Sequence, residues 1–99
     1  MRTLTKDAVG KIGQEVVLQG WVNSRRDHGK ISFIDLRDRT GIIQLVLTKT
    51  EVLVGNEDVI EIKGIIKERP TSMVNLKIVT GTVEVEVIEL KIISEAKEL

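Results

Sequence analysis

The chain has no cysteine and no tyrosine, and a single histidine, proline, tryptophan and phenylalanine among its 99 residues. Without cysteine there is no disulfide and no thiolate metal site. There is one imidazole, no thiol and no glycine-rich phosphate loop ahead of a helix, and the many carboxylates alternate with apolar residues as on a solvated sheet face, so nothing has the pattern of an activated nucleophile or a metal cage. No catalytic residue and no metal ligand is therefore expected. No apolar run approaches the roughly 20 residues of a membrane span, and Met1–Lys6 lacks the apolar segment of a secretory signal. The expectation is a cytoplasmic protein with no membrane contact.

An excess of one charge is also missing. Fifteen basic residues balance fifteen acidic ones, which is not the footprint of a general polyanion binder. The distribution is uneven, however. Residues 1–40 carry eight basic and five acidic groups, whereas residues 81–99 carry two and five. A local positive patch centred on Arg25, Arg26, Arg37 and Arg39 is one reading, and a solvated surface of mixed charge is the other.

What is abundant is β-branched residues repeating with a period of two. The alternation predicts five strands, over 14–23, 31–38, 41–48, 58–69 and 82–93. In the last strand Val83, Val85 and Val87 share a face, and the phase then flips to Ile88, Leu90 and Ile92. Such a slip is the mark of a β-bulge. Asp27–Lys30 and Asp38–Gly41 read as hairpin turns. Pro70 should end the fourth strand because it cannot donate to a ladder. Gly20 and Gly64 fall in mid-strand, where a small barrel bends or two backbones approach. Residues 3–9 suggest a short helix capped by Thr3 or Thr5, and residues 94–99 a tail or the start of a linker. Three meandering strands, an excursion and two more strands are the layout of an all-β, five-stranded OB-fold barrel, here a single domain spanning residues 1–99.

The polar side of those strands is a candidate binding face. It presents Phe33, Gln44, Arg69 and Glu84, with Arg25 and Arg26 running into the first hairpin. A lone aromatic on an outward face can stack a base, worth about 1–3 kcal/mol in single-strand binders. Glutamine and glutamate can bond base edges, and arginine can clamp a phosphate or a base plane. The plainer alternative makes Phe33 a contact under a loop, Gln44 and Glu84 surface residues, and Arg69 a salt-bridge partner. His28 reads as a turn residue. Trp21 reads as packed beneath a loop or the N-terminal segment.

The run GWVNSRRDHGKISFIDLRDRTGIIQLV, residues 20–46, resembles the anticodon-binding module of the aspartyl-tRNA synthetases. The spacing G-W-V-x-x-R-R-D-x-G followed by F-I-D-L-R-D-R-x-G-I-x-Q is similar nearly throughout. Residues 59–70 and 80–85 extend the likeness, so it spans most of residues 13–97. Related asparaginyl and lysyl enzymes share the barrel and part of the pattern. The resemblance implies recognition of a tRNA anticodon stem-loop, that of the Asp tRNA and, in some members, the Asn tRNA. Phe33 takes the position that stacks on the central uridine, and Arg26, Gln44 and Glu84 those that read the anticodon. Arg69 takes a position near the RNA backbone. His28, just after R-R-D, resembles the form in enzymes that charge both tRNAs.

Some departures stand out. The catalytic domain, with its ATP and magnesium site, lies outside this sequence, so the chain by itself is expected to be non-catalytic and without a cofactor. The connection from strand three to strand four is short, Lys49 to Asp58, and Val52, Leu53 and Val54 are expected to plug the barrel end in place of a helix. Thr82 stands where the family commonly has an acidic residue, and Leu76, Ile78 and Val79 make the preceding loop unusually apolar. A trimmed barrel of neutral charge also suits a protein partner or a bare scaffold, and its uncapped end would invite association.

Overall fold

In a computed structural model the described residues are 2–48 and 54–94. A 3₁₀ helix, Thr5–Lys11, leads into β1 (Glu15–His28), β2 (Ile31–Asp38), β3 (Gly41–Leu47), β4 (Val59–Glu68) and β5 (Val83–Ser94). A short 3₁₀ turn, Thr71–Met73, lies between β4 and β5. The sheet closes on itself in the order β1-β2-β3-β5-β4. All neighbours are antiparallel except β3 and β5, which run parallel. This is the five-stranded barrel that the alternation called for. Among the described residues no helix is long and apolar enough to cross a membrane.

The inward positions are those of the two-residue period. Val16, Leu18, Val22, Ile34, Leu36, Ile43, Leu45, Ile60, Ile62, Ile66, Val83 and Val85 form the core. Most are fully withdrawn from water, each such aliphatic chain gaining about 1.5–3 kcal/mol by leaving it. The barrel can close this tightly because two glycines lack a Cβ. A Cβ at Gly20 would run into the Arg37 carbonyl, and one at Gly64 would lie 2.5 Å from the Glu86 oxygen and 2.6 Å from Val85 Cγ1. At Gly29 the reason is conformational: its φ of 62° turns the β1–β2 hairpin.

Three slips of register shape the strands. Opposite β4 the pairing jumps from Lys63↔Glu89 to Gly64↔Val87, which leaves Ile88 unpaired. That is the bulge announced by the phase change, but Ile88 itself is the extra residue and is 51% exposed. The inward phase resumes only at Leu90 and Ile92. A second slip in β5 leaves Ile93 extra. The third lies in β1, where Val22↔Leu36 is followed by Ser24↔Asp35, so Asn23 is extra.

The ends of the barrel depart from expectation. The N-terminal helix begins after Leu4, and no side chain caps it. Thr5 instead turns inward, fully buried, and bonds to Asp38 and Thr40 some 33 residues away. Val54 is buried against the core, as the plug idea required, whereas Val52 and Leu53 lie outside the described residues. Ser94 still belongs to β5, so the expected tail begins no earlier than residue 95, where description stops.

Candidate nucleic-acid interface

The bulge at Asn23 decides which arginine serves the outer face. Strict alternation from Val16, Leu18, Gly20 and Val22 would carry Ser24 and Arg26 inward. The extra residue reverses the phase, so Ser24 pairs with Asp35 and Arg26 with Phe33, both on the outside, while Arg25 pairs with the core residue Ile34. Arg25 therefore leaves the candidate site. Its guanidinium donates to the Val54 carbonyl (3.1 Å), to Asp27 Oδ1 (3.1 Å) and to Ser32 Oγ (3.5 Å). Asp27 is held below the usual carboxylate range, first by the Ser32 hydroxyl at 2.6 Å and then by Arg25.

Register then aligns two rows across the outer face. One runs Ser24–Asp35–Gln44–Glu84 over β1, β2, β3 and β5. The next runs Arg26–Phe33–Val46–Glu86. Phe33 is partly exposed and outside the core. The His28 ring meets it edge-on with centroids 5.7 Å apart. The Arg26 guanidinium carbon lies 6.0 Å from the ring centroid, at the outer reach of a cation–π contact.

The polar row is one connected network. Ser24 Oγ donates to Asp35 Oδ2 at 2.7 Å, and Arg26 Nη1 donates to the same oxygen at 2.8 Å. Arg26 Nη2 reaches Gln44 Oε1 at 3.2 Å, and Gln44 Nε2 donates to Glu84 Oε1 at 3.1 Å. From behind, Arg69 Nη1 approaches Gln44 Oε1 at 3.5 Å while also donating to the Met73 carbonyl, and its Nε donates to the Val83 carbonyl at 2.8 Å. Burial lowers the Arg69 pKa against the pull of Asp35 and Glu84, yet a guanidinium stays charged at neutral pH.

Six of the seven residues singled out from the sequence thus converge: Arg26, His28, Phe33, Gln44, Arg69 and Glu84. They are not equally open. Gln44 is 2% exposed and Arg69 9%, so both form the floor rather than the surface. Arg26 and His28 are exposed. Asp35, which was not among the residues singled out from the sequence, anchors Arg26 and Ser24. Its signal was the shared parity of residues 33, 35 and 37. Trp21 stands one row farther along the outer surface, opposite Arg37. It lines a separate hollow of about 430 Å³ with Arg2, Thr3 and Leu4. Among the described residues no cluster of His, Asp and Glu is arranged to hold a metal ion.

Residues 16–93 match the tRNA anti-codon family model, described as an OB-fold nucleic acid binding domain. An aspartate–tRNA(Asp/Asn) ligase of Syntrophotalea carbinolica is 50% identical over 94 residues, covering 86% of this chain and 16% of the ligase. An aspartate–tRNA ligase of Staphylococcus saprophyticus is 46% identical over 94 residues, covering 87% of this chain and again 16% of the ligase. The chain therefore spans about a sixth of the length of these relatives. Among solved structures, an OBody bound to hen egg-white lysozyme superposes with a TM-score of 0.80 at 26% identity, covering 100% of this chain and 95% of that one.

Proposed function

We propose, from the premise that this chain belongs to the family of tRNA anticodon OB-fold nucleic acid binding domains, that its outer β1–β2–β3 face holds the unpaired bases of a tRNA anticodon loop. The observation that carries this reading is the placement of Phe33. A partly exposed ring stands beside a network of base-edge donors and acceptors on one wall of the barrel. Unstacked bases gain about 1–3 kcal/mol each on such a ring, and their Watson–Crick edges are then free to bond to side chains.

Gln44 is already oriented by Arg26, Arg69 and Glu84. A base edge entering there exchanges with Arg26 or Glu84 as its partner, so little side-chain freedom is lost on binding. Arg26 is released toward the base plane. The RNA is that of the aspartate system, and the chain supplies recognition while chemistry belongs to other parts of a ligase. The contact of the exposed His28 ring with the edge of Phe33 supports a part for His28 in the choice between Asp and Asn tRNAs.

The test is an anisotropy titration with an anticodon stem-loop carrying G-U-C, against a scrambled loop and the stem-loop of the Asn tRNA. The G-U-C loop should bind more tightly than the scrambled one, and Phe33→Ala should cost about 1–3 kcal/mol. Equal affinity for the scrambled loop ends the reading. A second reading, a protein-binding module, is favoured by Leu76 and Val79, which are 84% and 81% exposed, and by the OBody likeness. It expects a protein footprint over residues 74–79 and no RNA selectivity.

A further inference from the structure

At the other end of the β2–β3 hairpin, the turn after β2, the N-terminal helix and the loop before β5 enclose a cleft of about 500 Å³. Lys6, Arg37, Arg39 and Lys77 line it, and all four are exposed. Among the described residues none of the four forms an ion pair. Asp38 is the carboxylate in the lining, but its oxygens are committed elsewhere. They accept from the Thr5 amide (2.8 Å), the Thr5 hydroxyl (2.9 Å), the Thr40 amide (2.8 Å) and the Thr40 hydroxyl (2.7 Å). The walls are tied down as well. The Thr80 hydroxyl donates to the Ile42 carbonyl, the Lys77 amide donates to Asn75 Oδ1 at 3.0 Å, and the Lys6 amide donates to Thr40 Oγ1 at 3.3 Å.

The cleft continues the base-holding face. Arg37 pairs with Ile42 one row beyond the Asp35–Gln44 pair. That row lies two residues farther along each strand, a step of about 6.8 Å. The two regions have complementary charge. On the base-holding face Arg26 is paired with Asp35, Lys67 with Glu86, and Arg69 is buried. Glu84 adds a further negative group bonded to Gln44. That face offers acceptors to base edges and little to a phosphate. Each nucleotide brings a negative charge, and among the described residues unpaired cations flank that face at both ends: Lys30 alone in the β1–β2 turn, and four grouped together in the cleft.

We propose that the Lys6–Arg37–Arg39–Lys77 cleft is a separate subsite for the phosphodiester backbone of the strand whose bases lie over Phe33. The proposal rests on the nucleic-acid reading for its ligand, and not on any preference for one anticodon. It makes a division of labour: Phe33, Gln44 and Glu84 meet bases, and the cleft meets phosphates without regard to sequence.

The experiment measures affinity of the full chain for the G-U-C stem-loop and for a scrambled loop at several salt concentrations. Lys6→Ala/Lys77→Ala should weaken both RNAs alike and flatten the plot of log K against log salt by about 1.4, at about 0.7 per single-strand phosphate contact. Phe33→Ala should leave the slope unchanged and erase the difference between the RNAs. A short abasic ribose-phosphate strand should shift the amide resonances of Thr40 and Thr80 in the wild type. Inorganic phosphate at equal charge should not, because isolated ions lack the linked spacing. If the double variant keeps the wild-type slope while Phe33→Ala loses selectivity, the cleft proposal is overturned and the base-holding face stands. If the double variant loses affinity while Phe33→Ala changes nothing, the cleft stands and the base-holding face does not. Absence of RNA binding by the wild type overturns both.

Discussion

The two ends of the β2–β3 hairpin use the same chemistry for opposite ends. Near Phe33, Asp35 accepts from a hydroxyl and a guanidinium at the water boundary, and both donors belong to residues that face outward. Near the turn, Asp38 accepts from two hydroxyls and two amides, and one of the donors, Thr5, is wholly buried. The first carboxylate orients side chains that stay in reach of solvent. The second fastens the N-terminal helix across the end of the barrel. Charge and residue type are the same in both, so what separates a binding residue from a folding residue here is whether its donors have anywhere else to go.

The comparison can be broken most forcefully at Asp38. Asp38→Ala strands the Thr5 amide and leaves the buried Thr5 hydroxyl only Thr40 as a partner, and should cost about 1–3 kcal/mol in urea unfolding. A variant as stable as the wild type would show that the clamp is incidental. Next in size is the contrast between neighbours in β1. Arg26→Ala should lose roughly tenfold in RNA affinity, with stability within about 0.5 kcal/mol because its ion pair is exposed. Arg25→Ala should do the reverse, losing about 1 kcal/mol of stability as the Val54 carbonyl and Ser32 lose a donor, with RNA affinity held. Equal effects on binding would mean that the bulge does not divide them.

The smallest effect is a pH dependence. Burial by itself would raise the Asp38 pKa, but the bonds from Thr40 and Thr5 outweigh it and leave the group below its ordinary value. A carboxyl lowered in the folded state stabilises fully above its unfolded pKa, near 3.9. That contribution fades as pH falls through the folded value. Unfolding midpoints should therefore drop on the acid side of about pH 4, and Asp38→Ala should flatten that limb. An unchanged limb in the variant would assign it to other carboxylates.

The barrel was legible because its apolar residues keep a two-residue beat, and even the β5 bulge showed as a change of phase among valines, isoleucines and leucine. The β1 bulge gave no such signal. Asn23, Ser24, Arg25 and Arg26 are all polar, so there is no hydrophobic phase to slip, and Arg25 was set beside Arg26 on the same candidate face. Thr5 was misjudged for a different reason. Its partners come from the far side of the chain, which local capping rules do not see. The Phe33–Gln44–Glu84 set was found because alternation and the family likeness chose the same parity. The burial of Gln44 and Arg69 depended on what β5 and the 70–82 loop lay against them, and no local pattern carries that.

The barrel is closed by a seam only three residue pairs long, Gln44–Val46 against Glu84–Glu86, with parallel pairing. Parallel ladders are the weaker kind, and a short one is a natural first place for local opening. Two residues of that seam, Gln44 and Glu84, also belong to the row proposed to hold bases. A strand lying across them would act as a clasp, so whatever the face grips should also slow the breathing of the cylinder beneath it.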